Sequence, residues 1–253
     1  MDLKELLLIA IHAAEEACVR ILEVYNSDDF NVELKDDQSP LTLADRQAHK
    51  SIVRILQPID LPILSEEGKN IPYSERRTWE KFWMVDPLDG TKEFIKRNGE
   101  FTVNIALIEN CKPVLGVVAV PVENKIYYGA NGLGAFVRSK GEILKLSPRA
   151  EINLSKQNVR VVASRSHLNE ETSQFVQSLD KPIMVSKGSS LKFMMLADGE
   201  ADIYPRFAPT MEWDTAAAHA IVNQVGVGVF QHGYRIELIY NKEILLNPSF
   251  LCC

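Results

Sequence analysis

A series of closely spaced strands, predicted between residues 99 and 137, strongly limits the folds that this chain can adopt. Apolar side chains alternate with polar ones from Phe101 to Leu107, and a short polar turn then leads into Val114–Val120. That second segment has no polar face, which is typical of a strand covered on both sides. Two shorter strands continue the pattern as an antiparallel meander, so the sheet needs other layers packed against it.

Helical and extended patterns surround this meander on both sides in the sequence. The predicted helices cover about 1–25, 42–56, 170–179, 190–198 and 215–225. The predicted strands outside the meander are 63–65, 82–85, 159–163 and 183–185, with a final β segment over 227–246. Such a mixture, with hairpins early in the chain, favours layered α+β architecture over a purely parallel, doubly wound sheet.

A polar stretch at about 147–158 marks the most plausible division of the chain. We expect an N-terminal α+β half, residues 1–150, and a C-terminal α/β half, residues 151–253. A chain of 253 residues is long enough to form one large domain or two small ones.

Charge excludes some classes of function. Lysine and arginine number 28 against 34 aspartates and glutamates, so the formal net charge is −6. A dedicated nucleic-acid-binding protein normally has a basic excess, so we expect no nucleic-acid partner. A small anionic ligand remains compatible, because it meets a local site rather than the average charge.

The cysteines and the N-terminal segment both predict a cytoplasmic protein. Four cysteines occur at 18, 111, 252 and 253 without a Cys-x-x-Cys pair, which favours a reducing compartment. The longest uncharged run near the N-terminus, Leu6–Ala14, is far too short to span a membrane, so no integral membrane segment is expected there.

The segment Val85–Thr91 carries the strongest local signal for chemistry. Asp86 and Asp89 lie three residues apart where a strand ends, and Gly90 and Thr91 come directly before a short predicted helix. Asp89 or Thr91 could simply cap that helix, which is a common use of both residue types.

Further acidic residues favour a metal site over a simple helix cap. Asp45, the pair Glu66-Glu67 and Asp214 each lie next to a predicted element boundary. If several of them converge, they repel one another unless cations neutralise them. Hard oxygen ligands suit Mg²⁺ better than zinc, and no histidine–cysteine cluster offers a softer site. Spacing alone leaves convergence open, and each could be an ordinary solvated carboxylate or helix cap.

Taken together, these segments resemble the signature set of the inositol monophosphatase superfamily across nearly the whole chain. The segments that carry the resemblance are 37–45, 66–67, 86–91 and 213–214. Five segments resemble in particular the 3′(2′),5′-bisphosphate nucleotidases of that superfamily: 86–97, 188–193, 204–207, 240–242 and 246–250. The resemblance implies a layered αβαβα sugar-phosphatase fold, with two sheets and the active site between the two halves.

The resemblance also implies roles for individual residues. The Mg²⁺ ligands would be Glu66, Asp86, the Leu88 carbonyl, Asp89 and Asp214, with two or three ions in each active site. Thr91, with Asp45 as its acceptor, would orient and activate the attacking water. Paired metal ions can stabilise both the attacking and the leaving oxygen of a phosphoryl displacement.

The implied activity is hydrolysis of the 3′-phosphate of adenosine 3′,5′-bisphosphate to AMP and phosphate. The resemblance extends this activity to the sulfated nucleotide and implies inhibition by lithium and a role in sulfate assimilation. Two alternatives stay open: another phosphatase of the superfamily, acting on inositol or fructose phosphates, and a catalytically silent protein that binds nucleotides or a partner.

The expected substrate is thus a small nucleotide bisphosphate. Its predicted contacts are Glu66, Leu88, Asp89, Gly90, Thr91, Ser164, Gly188, Ser189, Ser190, Lys192, Arg206 and Asp214. Residues 188–190 could instead be an ordinary helix cap, and Arg206 could pair with a local acid rather than with a second phosphate. One departure from the family pattern is Ala218, where a glycine is usual, and there we expect tighter packing. A homodimer and peripheral binding at the inner face of the cell membrane are both compatible with the resemblance.

Overall fold

The computed structural model of the chain describes residues 1–27, 32–34, 40–163 and 169–253. Within these ranges the α-helices are α1 (Leu3–Tyr25), α2 (Leu43–Leu56), α3 (Tyr73–Arg76), α4 (Thr91–Ile95), α5 (Glu170–Gln177), α6 (Leu191–Asp198) and α7 (Ala216–Asn223). The strands are β1 (Glu33–Leu34), β2 (Pro40–Leu41), β3 (Ile63–Ser65), β4 (Lys81–Asp89), β5 (Thr102–Glu109), β6 (Lys112–Val120), β7 (Lys125–Ala130), β8 (Gly134–Ser139), β9 (Glu142–Lys145), β10 (Arg160–Ala163), β11 (Ile183–Ser186), β12 (Tyr204–Arg206), β13 (Val229–Gln231) and β14 (Phe250–Cys252).

The larger sheet contains seven strands in sequence order, from β3 to β9. β3 and β4 are parallel, and every later neighbour is antiparallel. The predicted meander is confirmed, and Val114–Val120 is buried throughout, as its unbroken apolar sequence indicated. The edge strand β9 was not predicted, because all four of its residues are exposed and its sequence has no buried face.

Helices cover both faces of this sheet. α1 and α2 pack against one face. Asp2 and Glu5 form a capping box that begins α1. α7 crosses the other face so closely that a Cβ on Gly116 would lie 2.0 Å from the Ala217 carbonyl oxygen, and only glycine leaves room for it. Ala218, the departure noted above, is buried in this helix.

A second sheet lies beyond α6 and α7. β10 and β11 are parallel, β14 lies between β12 and β13, and a bridge between Val161 and Ile203 joins the two groups of strands. α6 packs on the inner face of this sheet, and Phe175 of α5 packs on its outer face. The order of layers is therefore helix, sheet, helix, sheet, helix, and the predicted αβαβα fold class is confirmed.

The expectation of a continuous β segment over residues 227–246 is wrong. Only β13 forms within it, and its partner β14 lies further along the chain. Residues 240–247 instead bind the turn that carries Asp214. Asn247 Nδ2 donates to the Met211 carbonyl oxygen, and Glu212 accepts from the backbone of Lys242. The apolar residues of this segment favour a strand in the sequence. The tertiary contacts that actually hold the segment leave no periodic pattern by which it could be recognised.

No helix formed by the described part of the chain is both long enough and apolar enough to cross a membrane. The apolar residues near the start of α1 are used in the core: Leu6, Leu7, Ala10 and Ile11 are all buried.

Candidate active site

A cleft of about 290 Å³ opens beside the ends of β4 and β12. Its lining residues are Glu66, Asp89, Gly90, Thr91, Lys92, Glu93, Gly188, Ser189, Lys192, Phe193, Tyr204, Arg206, Thr210, Asp214 and Thr215. Nine of the predicted site residues are among them, although they come from distant parts of the sequence. Four others, Asp45, Asp86, Leu88 and Ser190, are buried just behind this surface. Ser164 lies outside the described residues.

Strand β4 positions Asp86 and Asp89. Its pairing with β5 shifts register between Asp86 and Asp89, so the strand is irregular where these side chains emerge. Asp86 Oδ1 accepts a hydrogen bond from the Leu88 N–H at 3.0 Å. Gly90 then turns the chain into α4 with a φ of 95°, a left-handed conformation that favours glycine.

Asp45 and Thr91 meet although 46 residues separate them. Thr91 Oγ1 donates to Asp45 Oδ1 at 3.2 Å and lies 3.4 Å from the Leu88 carbonyl oxygen. The other oxygen of Asp45 accepts from the Thr42 N–H at 2.7 Å, in the capping box that begins α2. The helix cap thus fixes Asp45, and Asp45 in turn offers its second oxygen to the threonine.

The acidic side chains act strongly on one another. Burial raises the pKa of Asp86 well above its ordinary value, and the negative charges of Glu66, Asp89 and Asp214 raise it further. Burial, together with Asp89 and Glu66, likewise raises the pKa of Asp214. A negative charge on Asp86 or Asp214 is therefore costly in this environment.

These residues suit a hard divalent cation in chemistry and charge. Their donors are carboxylate and carbonyl oxygens, which Mg²⁺ prefers, and a cation would relieve the repulsion that raises the two pKa values. In the described ranges, however, no group of three acidic, histidine or cysteine side chains is arranged as it stands to hold a metal ion. Asp214 is turned toward its own backbone, where Oδ2 accepts from the Met211 N–H at 2.9 Å. Binding would therefore require carboxylates such as this one to rotate.

The cleft also carries positive charge. Lys192 Nζ donates to the Ser189 carbonyl oxygen at 2.6 Å, and burial lowers the pKa of this lysine to about 8. Arg206 Nη2 donates to the Pro209 carbonyl oxygen at 2.8 Å. Among the described residues, Arg206 Nε and Ser189 Oγ are buried without a hydrogen-bond partner. The two cationic side chains can therefore supply donors to an anionic group.

Ser190, which we predicted to contact substrate, lies behind the surface of the cleft. It is 1% exposed, and it bonds to Asp89 instead of lining the cleft. Gly188 and Ser189 do line the cleft, and a Cβ on Gly188 would lie 2.7 Å from the Glu100 carbonyl oxygen.

Sequence reasoning missed several parts of the site. Thr210 lines the cleft without a chemical signal of its own, whereas Glu93, Phe193 and Tyr204 lie inside segments that carry the family resemblance. A buried carboxylate, Glu212, was also missed.

Glu212 fixes the turn that bears Asp214. It is fully buried and accepts from Lys242 Nζ at 2.6 Å. Buried Arg76 donates to Asn241 Oδ1 at 3.0 Å and so ties the same segment to α3.

Comparison with known proteins identifies the family of this chain. The model of the inositol monophosphatase family matches residues 2–249, and the chain belongs to that family. Its relatives include a Salmonella typhimurium protein named 3′(2′),5′-bisphosphate nucleotidase CysQ, which is 44% identical over 242 residues, 94% of this chain and 95% of that protein. The Escherichia coli K12 protein of the same name is 43% identical over 241 residues, again 94% of this chain and 95% of its relative.

Solved structures resemble this one as well. The crystal structure of CysQ from Bacteroides thetaiotaomicron, described as a bacterial member of the inositol monophosphatase family, has a TM-score of 0.86 and 46% identity. The match covers 99% of this chain and 97% of that one. The suhB protein of Bartonella henselae has a TM-score of 0.79 at 22% identity, over 98% of this chain and 93% of its own, and shares the fold. The family recognised from the motifs is thus confirmed.

Proposed function

We propose that this protein is a Mg²⁺-dependent phosphatase that removes the 3′-phosphate of adenosine 3′,5′-bisphosphate, giving AMP and phosphate. The observation that carries the proposal is that one cleft combines acidic groups and Thr91, which bonds to Asp45, with two cationic side chains, Lys192 and Arg206. A substrate with two phosphates matches a cleft that holds both sets of groups. The names of the relatives at 43–44% identity support the same substrate class.

The proposed role of Thr91 and Asp45 is to orient and activate the attacking water. Thr91 Oγ1 already donates its proton to Asp45 Oδ1, so its lone pairs are available to accept a hydrogen bond from water. As the water attacks phosphorus, its proton can pass to Thr91 Oγ1 while the threonine proton passes to Asp45. The capping box holds Asp45 in place throughout.

The proposed Mg²⁺ ligands are Glu66, Asp86, the Leu88 carbonyl, Asp89 and Asp214, for two or three ions. When bound, Mg²⁺ would supply positive charge to the phosphate oxygens and to the leaving oxygen. The chain itself contributes Gly90 and Thr91, whose amides at the start of α4 have no partner within that helix and can donate to phosphate oxygens.

We propose that Arg206, Lys192 and Ser189 hold the phosphate that is not cleaved. All three line the cleft, and Arg206 Nε is buried without a hydrogen-bond partner among the described residues. A charged hydrogen bond of this kind is stronger than a neutral one. Because the family resemblance implies them, we also propose the 3′-phosphate of the sulfated nucleotide as a second substrate, a role in sulfate assimilation and inhibition by lithium.

A phosphate-release assay tests the proposal. Adenosine 3′,5′-bisphosphate, adenosine 3′-monophosphate, inositol 1-phosphate and fructose 1,6-bisphosphate are compared at equal concentration, with Mg²⁺ and with EDTA. We expect the highest kcat/KM for the first, and none in EDTA. A preference for inositol or fructose phosphates would identify a sugar phosphatase, and no release from any substrate would identify a binding protein.

A further inference from the structure

Ser190 lies between two aspartates of the cleft, Asp89 and Asp214. We infer that it is a positioning residue that sets Asp89 and Asp214 relative to each other, and that it does not contact substrate. The inference rests on the proposed function, since it concerns carboxylates that we propose as Mg²⁺ ligands. Ser190 directly precedes α6, whereas Asp89 ends β4, so their contact joins two distant segments of the chain.

The contacts of Ser190 are short and buried. Its N–H donates to Asp89 Oδ2 at 2.7 Å. Its hydroxyl oxygen lies 3.0 Å from the same carboxylate oxygen and 2.9 Å from the Asp214 carbonyl oxygen. A side chain that is 1% exposed cannot exchange these contacts for water. Ser190 therefore links the backbone of one aspartate to the side chain of the other.

The number of protons decides how the link works. A serine hydroxyl has one proton and cannot donate to both acceptors at once. The Ser190 N–H already serves Asp89, so the hydroxyl proton is available to the Asp214 carbonyl. Buried Asn104 completes the arrangement, because its Nδ2 donates to Ser190 Oγ at 3.0 Å.

This network also determines which oxygen of Asp89 remains available. Oδ2 receives the Ser190 N–H and has Thr102 Oγ1 and Asn104 Nδ2 at 3.4 Å each. Within the described part of the chain, no donor reaches Oδ1, while Asp89 lines the cleft. Asp89 thus offers a single oxygen to a cation, and Ser190 holds the carboxylate in that orientation.

The neighbouring residue gives a matched comparison. Ser189 lines the cleft, and its buried Oγ has no hydrogen-bond partner among the described residues, whereas the hydroxyl of Ser190 contacts Asp89 and Asp214. The segment therefore has a serine that lines the cleft, followed directly by one that is bonded to the aspartates. The same substitution at each position should produce different effects.

The experiment compares Ser190→Ala with Ser189→Ala. Mg²⁺ binding is titrated by calorimetry without substrate, and kcat and KM are measured at saturating Mg²⁺. Loss of one hydrogen bond predicts about three- to tenfold weaker Mg²⁺ binding and a lower kcat for Ser190→Ala. Ser189→Ala should bind Mg²⁺ as the wild type does and show a higher KM. Ser190→Cys, which keeps the shape and a weak donor, should bind Mg²⁺ with intermediate affinity, and it replaces the alanine variant if that one does not fold.

Two results would overturn the inference. One is wild-type Mg²⁺ affinity in both Ser190 variants. The other is a higher KM for Ser190→Ala with kcat and Mg²⁺ affinity unchanged, which would place the hydroxyl on the substrate. Failure of the proposed function is distinguishable from these two results, because the wild type itself would then release no phosphate from the bisphosphate. The Mg²⁺ titrations would still compare the two serines, because they contain no substrate.

Discussion

Replacing Asp86 by asparagine should abolish turnover and yet stabilise the metal-free protein. Asp86 is buried, and burial together with Glu66, Asp89 and Asp214 raises its pKa. Asparagine has nearly the same shape, keeps an oxygen for the Leu88 N–H and carries no charge. The substitution therefore removes an electrostatic penalty without opening a cavity.

The size of this effect follows from proton linkage. An acid whose pKa is higher in the folded state costs stability at neutral pH, at about 1.4 kcal/mol for each pKa unit. The cost grows as pH rises above the unfolded-state pKa and vanishes below it, where the group is protonated in both states. We expect Asp86→Asn to gain at least about 1 kcal/mol at pH 7 in EDTA, which is about 2–4 °C in Tm for a chain of this size. The gain should shrink as pH falls toward about 4.

Adding Mg²⁺ should reverse the order of stability. A ligand at about one hundred times its Kd stabilises the folded state by about 2.7 kcal/mol. The wild type should show a rise of this kind and Asp86→Asn a much smaller one. Thermal unfolding in EDTA and in Mg²⁺, from pH 4 to 8, measures both effects, and exposed Asp180→Asn is the control for the same chemical change. An Asp86→Asn protein that is less stable in EDTA, or that keeps full Mg²⁺-dependent activity, would refute the reasoning.

Three other predictions concern single side chains in the cleft. Thr91→Ala should lower kcat by about 10²–10⁴ with little change in calorimetric Mg²⁺ affinity, and Thr91→Ser should restore most of the rate; a large loss of Mg²⁺ binding would contradict the division of roles. Arg206→Ala should reduce kcat/KM for adenosine 3′,5′-bisphosphate far more than for adenosine 3′-monophosphate, and Arg206→Lys should not restore it, because lysine lacks the forked geometry; equal losses on both substrates would indicate a structural arginine. The pKa of Lys192 is lowered to about 8, so its charge and the affinity for the bisphosphate should fall as pH rises through 8, and Lys192→Met should lack this step in a plot of KM against pH.

Local patterns predicted the elements whose packing follows from their own sequence. α1, α2 and the meander have regular apolar periodicity, and each appears close to its expected bounds. β14 was missed because its pairing with β12 and β13 is set by residues far away in the chain. The division of the chain near residue 150 stays a prediction.

The site divides in a similar way. The Asp86–Thr91 motif was visible as a local cluster, but the contact of Thr91 with Asp45 spans 46 residues and was inferred only through the family resemblance. The sequence predicts that Ser190 contacts substrate, because a serine before a helix gives the same sequence pattern whether its side chain faces the cleft or the interior. Its orientation depends on Asn104 and Asp214, which no spacing rule connects to it. The roles of the carboxylates as metal ligands stay predictions.

The hydrogen bonds between residues 240–247 and the turn that carries Asp214 affect how the protein folds during its synthesis. Asn247 and the backbone near Lys242 supply hydrogen bonds to residues 210–215 that no earlier part of the chain replaces within the described structure. During synthesis the seven-stranded sheet can assemble well before these residues leave the ribosome. Until they arrive, the turn that carries Asp214 lacks these hydrogen bonds, although Ser190 from an earlier segment can already contact the Asp214 carbonyl oxygen. The nascent chain should therefore form the seven-stranded sheet before residues 240–247 can stabilise the turn that carries Asp214.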